Sequence, residues 1–542
     1  MNKILNKNNF KKNKMMKVSM KLKKSIWAPF AFLILAATYS CDDDFAELNT
    51  NPLALSTDKL ATSDVLLGQA FAQATYTSNM GLHWRMQISQ SLFSDLWSGY
   101  YATTYVGFDS DRFTQVGRWA DLAWGSFYGI AAPQVKVVED IATENGNNVA
   151  MGMAKVVKVN GYSRMTDYWG PVPYTSFGNE ELSVPFDSQQ SMYADFFSEL
   201  DAASSALAGG GSAFGGSDLV YGGDASKWRK LAESMRLRLA MRIRYTDPAT
   251  SKAQAEKAYN SGALITSNDD NAFIATSSDN RNPLETITDW GEFRMSATME
   301  GILKGFDDPR RMKYFDPAAS GDQDGDGDPY EGLQNGQTKV ALGTSQNPLT
   351  SDVNVYFRDV AQGGANPPLE WLQAAEVHFL LAEAALAGYS VGGTAKSYYE
   401  SGIQVSMERW GAADAAAIAA YVASNNTPVS FDGGTTPASS DITVAFNSTD
   451  NEKALEQIIT QKWIALFPNG WEAYAECRRT GYPKQLPRVQ SDNPDVPVDQ
   501  IPARMVYTSS EYTNNAEAVQ AAVSSSELGA DKNNVKLWWD KK

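Results

Sequence analysis

The chain has 542 residues, a formal net charge of −16, hydrophobic residues at 43% and charged residues at 20%. That length excludes a small disulfide-stapled scaffold, and the ordinary apolar share excludes wholesale disorder. The lysines between Lys3 and Lys24 sit in a leader without acids, so the remainder is more acidic than the total suggests; a surface of that sign repels phosphate backbones, and no nucleic-acid partner is expected.

Residues 1–40 read as a lipoprotein signal peptide. Lysines precede an apolar run from Ile26 to Ala37, and the small and hydroxyl residues of ATYSC close it at Cys41. A run of about twelve residues is too short to span a ~30 Å hydrocarbon core. Cys41 stands where a bacterial lipobox carries its acylated cysteine. Asp42, Asp43 and Asp44 resemble the acidic tract that sends lipoproteins of Bacteroidetes-type bacteria to the cell surface. Several acyl chains on one cysteine hold a protein to a leaflet, so the expected location is the outer membrane, at the cell surface, lipid-anchored. The other cysteine, Cys477, then has no partner for an intramolecular disulfide and reads as a small buried hydrophobe.

Residues 41–542 read as one mainly α domain. Helix-period apolar spacing predicts helices over 59–75, 84–97, 119–142 and 150–168. Further stripes run from Met192 to Leu207, Trp228 to Leu239, Trp371 to Ala385, Tyr399 to Trp410 and Leu455 to Phe467. Turn-rich stretches at 209–223 and 428–440 separate the helices into pairs, as in stacked helical hairpins without a strict repeat. Irregular stretches near 268–290, 316–368 and 484–510 are too long for plain connectors, and loops of that size carry function.

No enzyme constellation stands out. H-E-x-x-H, G-x-S-x-G and the P-loop are absent, and His83 and His378 are the only histidines. His378 lies on an apolar helix face and reads as a hydrogen-bonded core residue. Arg236, Arg238, Arg242 and Arg244 read as partners for carboxylates of neighbouring helices. GDQDGDGDPYEG places Asp322, Asp324, Asp326 and Asp328 at alternate positions with Gly327 at the turn, imitating the start of a calcium loop, so a structural calcium is the one cofactor considered. Glu331 falls two residues before the position of the bidentate ligand. Trp97, Tyr100, Tyr101, Tyr105 and Phe108 crowd into one Gly-, Ser- and Thr-rich segment. Such rings suit sugar rings or peptide side chains, so Trp97, Tyr100, Tyr101 and Tyr105 are the expected ligand residues, with Trp290 and Arg294 from a later loop.

Several segments in chain order resemble the SusD/RagB family of nutrient-binding outer-membrane lipoproteins, in its SusD-like subgroup. They are DFAELNTNP, MTDYWGPVPYT, KWRKLAESMRLRLAMRI, AAEVHFLLAEAALAGY, YYESGIQVSMERWG, LEQIITQKWIALFPNGWEAYAECRRTGYP and IPARMVYTSSEY. The resemblance implies a tetratricopeptide-like helical-hairpin scaffold whose long irregular inserts form a ligand face. It further implies a cell-surface lipoprotein, not an enzyme, that captures an oligosaccharide and delivers it to a SusC-like TonB-dependent transporter. The alternatives are a peptide-binding, RagB-like lid, a surface glycan hydrolase, and a structural lid without a ligand of its own.

Overall fold

Apolar stripes of helical period become helices that share one core. The computed structural model describes residues 64–79 and 83–542, apart from positions 182, 279 and 359. The leader, Cys41 and the DFAELNTNP turn lie outside the described residues.

The first half contains α1 (Asp64–Ser78), then α2 (His83–Met86), which continues as a π-helical stretch, Gln87–Asp95. Next come α3 (Gly117–Ser126), a π turn at Phe127–Ala131 and α4 (Ala132–Glu144), in place of the single helix expected over 119–142. They are followed by α5 (Asn148–Trp169), α6 (Gln189–Leu207), α7 (Ala225–Arg242) and α8 (Pro248–Asn260). The second half contains the short α9 (Pro283–Asp289), α10 (Ala297–Gly305), α11 (Arg311–Tyr314), α12 (Ala374–Leu386), α13 (Ala395–Trp410) and α14 (Ala415–Val422). Helices α15 (Asn451–Leu466) and α16 (Gly470–Thr480) precede the C-terminal α17 (Ser509–Asn514) and α18 (Ala516–Val523). Side-chain caps define several starts: the Asp224 carboxylate accepts from the N–H groups of Ser226 and Lys227, and Asn147 Oδ1 accepts from Ala150 N.

Consecutive helices pack as hairpins, α5 on α6, α7 on α8 and α12 on α13, with α15 laid against α12. The strands are short antiparallel pairs: β1 (Tyr101–Thr103) with β5 (Phe293–Met295), β2 (Val172–Pro173) with β3 (Phe186–Asp187), and β4 (Ala272–Ile274) with β6 (Leu369–Leu372). Two expectations change here. The stripe assigned from Trp371 begins as β6, because Pro367 and Pro368 hold the chain extended before it, and the helix starts only at Ala374. The irregular stretch 268–290 contains β4 and all of α9.

The arginines of α7 and of the turn after it pair with neighbouring helices. Arg238 donates to both Glu376 oxygens at 2.7 and 2.6 Å, Arg242 Nη2 donates to Glu472 at 2.7 Å, and Arg244 Nη1 to Glu383 at 2.9 Å. From α16, Arg479 reaches Glu383 and Glu476 at 2.6 Å. Burial alone would raise the carboxyls of Glu383, Glu472 and Glu476. The guanidinium of Arg479 beside Glu383 and Glu476, and that of Arg242 beside Glu472, instead hold all three below the usual carboxylate range. His378 is half-buried, its Nε2 3.1 Å from the Thr266 carbonyl oxygen. Cys477 is buried, which pushes its thiol up to about 12 and leaves it a poor nucleophile.

Candidate functional site

The aromatic segment after α2 turns inward. Trp97 is fully buried, donates from Nε1 to the Ser110 carbonyl at 2.9 Å and meets Phe93 edge-on. Tyr100 is also fully buried, its hydroxyl donating to the Trp463 carbonyl at 2.6 Å. Tyr101 packs among Phe293, Phe315 and Phe467. Arg294 is buried as well, donating from Nη1 to Asp352 at 3.0 Å and to the Phe293 carbonyl at 2.8 Å. These four expected ligand residues present no ring face or free charge to solvent. For Tyr101 and Arg294 the cause is local: β1 and β5 are covered on both faces, so alternate side chains do not separate into inner and outer sets. Trp97 and Tyr100, before β1, pack on Tyr474 and Trp463.

Tyr105 and Trp290 are the expected residues that remain on the surface, 49% and 44% exposed. The β1–β5 ladder brings their backbones together. Thr104 N donates to the Glu292 carbonyl at 3.0 Å, and Thr104 Oγ1 to that of Gly291 at 3.0 Å. Gly291 has φ +67°, a left-handed conformation that a side chain disfavours, and it turns the chain between α9 and β5. Tyr105 stands edge-on to Phe108, whose ring stacks on Phe293, so the exposed ring rests on the core.

Two further rings join them. Trp84 on α2 is 36% exposed, and Tyr356, in the turn Val355–Phe357, is 38% exposed. Both α2 and this turn pack on α9, which ends at Trp290. The segments carrying Trp84, Tyr105, Trp290 and Tyr356 therefore all meet α9 or the turn that follows it, and Arg85, Gln87 and Glu292 lie on the same segments. The Arg85 guanidinium lies over Trp84, 4.3 Å from the ring centroid, and Gln87 Nε2 donates to Glu292 at 2.7 Å. Flat apolar faces with hydrogen-bonding groups between them suit a sugar chain. Tyr356 was findable, since it sits inside the over-long stretch 316–368. Trp84 lies at the edge of an apparently ordinary helix, and its spacing carries no sign of exposure.

The acidic loop divides. Asp326 pairs with Lys304 and Asp328 with Arg311, so these two expected ligands are drawn to α10 and α11. Asp322, Asp324 and Glu331 remain, with one carboxylate oxygen of each within 4.8 Å of the others. The Lys304 ammonium also stands 3.7 Å from Asp324.

The chain matches the model of the SusD-like family, the SusD and RagB outer membrane lipoproteins, over residues 47–540. Among solved structures, a chitin-binding SusD homolog from Flavobacterium johnsoniae is 33% identical with a TM-score of 0.79, covering 88% of this chain and 98% of its own. A SusD homolog from Bacteroides uniformis is 32% identical with a TM-score of 0.80, covering 89% and 100%. The comparison with curated proteins finds no match. The chain belongs to the SusD and RagB outer membrane lipoprotein family. It is a mainly helical outer-membrane lipoprotein that binds and does not catalyse. Among the described residues no helix is long and apolar enough to cross a membrane.

Proposed function

We propose that this lipoprotein captures an oligosaccharide on the face around α9 and delivers it to a SusC-like TonB-dependent transporter. The observation that carries the reading is the gathering of four exposed rings, Trp84, Tyr105, Trp290 and Tyr356, about one short helix. The similar structure described as a chitin-binding homolog makes chito-oligosaccharides the first probe. Each ring contact contributes about 0.5–1.5 kcal/mol beyond area burial, so several give an affinity weak enough to release cargo to a transporter. A glycan array with wild type and with Tyr105→Ala plus Trp290→Ala tests the reading: binding is lost in the variant. Unchanged binding removes this face, and blank glycan arrays with positive peptide arrays move the ligand class to peptides. Co-purification with a SusC-like transporter co-expressed in one cell tests that partner.

For the acidic loop, we propose that calcium is held by Asp322, Asp324 and Glu331. Calorimetry with calcium on wild type and Asp324→Ala tests this, and equal heats end it.

A further inference from the structure

Beside the ring face lies a slot of about 30 Å³, room for roughly two waters. Tyr356 forms part of its wall, so slot and face share a border. The other walls come from Gln90 of the π-helical stretch, Arg164 of α5, Arg409 and Trp410 at the end of α13, and Asn469 at the start of α16.

Apolar residues and prolines complete the lining, and among its charged groups Arg164 and Arg409 stand against Glu370 alone. Arg164 is 8% exposed, and its guanidinium makes no hydrogen bond or ion pair among the described residues. It lies over the Trp471 ring at 5.4 Å, and burial, then repulsion from Arg238, lowers its pKa to about 10. Arg409 forms an ion pair with Glu370, yet its Nε and Nη1 are buried without a partner, as is Trp410 Nε1. Helix α16 directs its N-terminus here, with Asn469 as its cap. Its Glu472 N–H donates to Asn469 Oδ1 and its Gly470 N–H is engaged by Pro468 and Asp95, so what it offers the slot is the partial positive charge of its dipole.

Of the acids nearby, Glu472 and Glu376 oppose the lowering at Arg164, but Arg242 and Arg238 already engage them. Glu370 is taken by Arg409. Asp95 accepts from Gln90 Nε2 at 3.1 Å, and burial raises its pKa to about 7, so near neutrality much of it is uncharged. A Cβ at Gly470 would collide with the Asp95 side chain, so glycine is what lets the start of α16 come this close. Leaving a buried guanidinium unsatisfied is costly, whereas buried Arg238, Arg242 and Arg479 meet carboxylates and Arg478 and Arg488 meet carbonyl oxygens.

We infer that the slot is an anion site: Arg164, aided by the spare donors of Arg409 and the N-terminus of α16, takes a single carboxylate-sized anion. The anion is either the carboxylate of an acidic sugar lying on the ring face, a source that rests on the proposed function, or a free anion from the medium.

Three measurements test it. Crystals of the wild-type mature protein soaked in bromide give an anomalous peak within hydrogen-bond reach of the Arg164 guanidinium; a slot holding only water overturns the proposal without any variant. Acetate raises the melting temperature of wild type but not of Arg164→Met, and Arg164→Lys keeps part of the rise if Arg164→Met fails to fold. A trigalacturonate probe, compared with chitotriose, shows which source applies. If the ligand supplies the anion, the acidic trimer binds wild type roughly tenfold more tightly than the neutral one, and Arg164→Met erases the difference. A bromide peak and an acetate shift without that preference support the slot with a free anion. Failure of the ring face shows as both trimers failing to bind, with the bromide and acetate results unchanged.

Discussion

Two regions of this molecule treat charge and aromatic surface in opposite ways. In the interior between α7, α12, α15 and α16, Arg238, Arg242 and Arg479 each meet carboxylates, and Lys462 stands 3.4–3.9 Å from Glu376, Glu472 and Glu476. Around α9, four rings stay partly exposed, and in the adjoining slot Arg164 lies over Trp471 without a carboxylate in ion-pair contact. Matched charges hold helices in register, while unmatched groups are retained for something outside the chain.

Breaking the matched region has the largest expected effect. Arg479→Met leaves the Glu383 and Glu476 carboxylates buried without their main partner, and is expected to cost about 3–5 kcal/mol in denaturant unfolding. Ligand affinity at the remote face is unchanged in the fraction that folds. Trp97→Ala belongs with this group, at about 3–5 kcal/mol from the cavity it leaves. That loss of stability with retained affinity separates it from the ring-face variants.

On the unmatched side, Tyr105→Ala plus Trp290→Ala is expected to weaken oligosaccharide binding by about 1–3 kcal/mol in calorimetry. Its unfolding midpoint falls less than that of the buried-residue variants, since both rings are nearly half exposed.

The acid–base behaviour sharpens the contrast more gently. Glu383, Glu472 and Glu476 are held below their unfolded value near 4.3, so the stability they bring is present above that value and lost as pH falls through their folded values. Glu300, raised by burial to about 8, and Glu527, raised by burial to about 7, act in the reverse sense. Their contribution is full below the unfolded value and disappears as pH rises through the folded one. Melting temperature is therefore expected to fall both below about pH 4 and between about pH 5 and 8, measured by calorimetric scans across that range. The smallest effect belongs to the acidic loop: calcium heats are small in wild type, because Lys304 already neutralises Asp326 and approaches Asp324, and they vanish in Asp324→Ala.

Helices with long apolar stripes were legible in the sequence because a one-sided period survives any packing partner, as from Leu455 to Leu466. The pairing of the α7 arginines was legible from their placement in so acidic a chain. The ring face was only half legible. Tyr105 came from aromatic clustering and Trp290 from a later loop. The clustering rule also selected Tyr101, which a short, doubly covered strand pair buries, and Trp97 and Tyr100, which pack on Tyr474 and Trp463. Local composition records that rings are near one another and not which way they point. Trp84 and Tyr356 reach the face only through the packing of α2 and the 355–357 turn on α9, contacts between segments far apart in the chain. The slot at Arg164 depends likewise on segments between Gln90 and Asn469, and no linear motif announces it.

Hydroxyl-radical footprinting with and without the best glycan from the array tests the binding face most directly. The account predicts that Trp84, Tyr105, Trp290 and Tyr356 are protected together while Tyr512, equally exposed at 44%, reacts as before. Protection of Tyr512 with the four rings left reactive would contradict it.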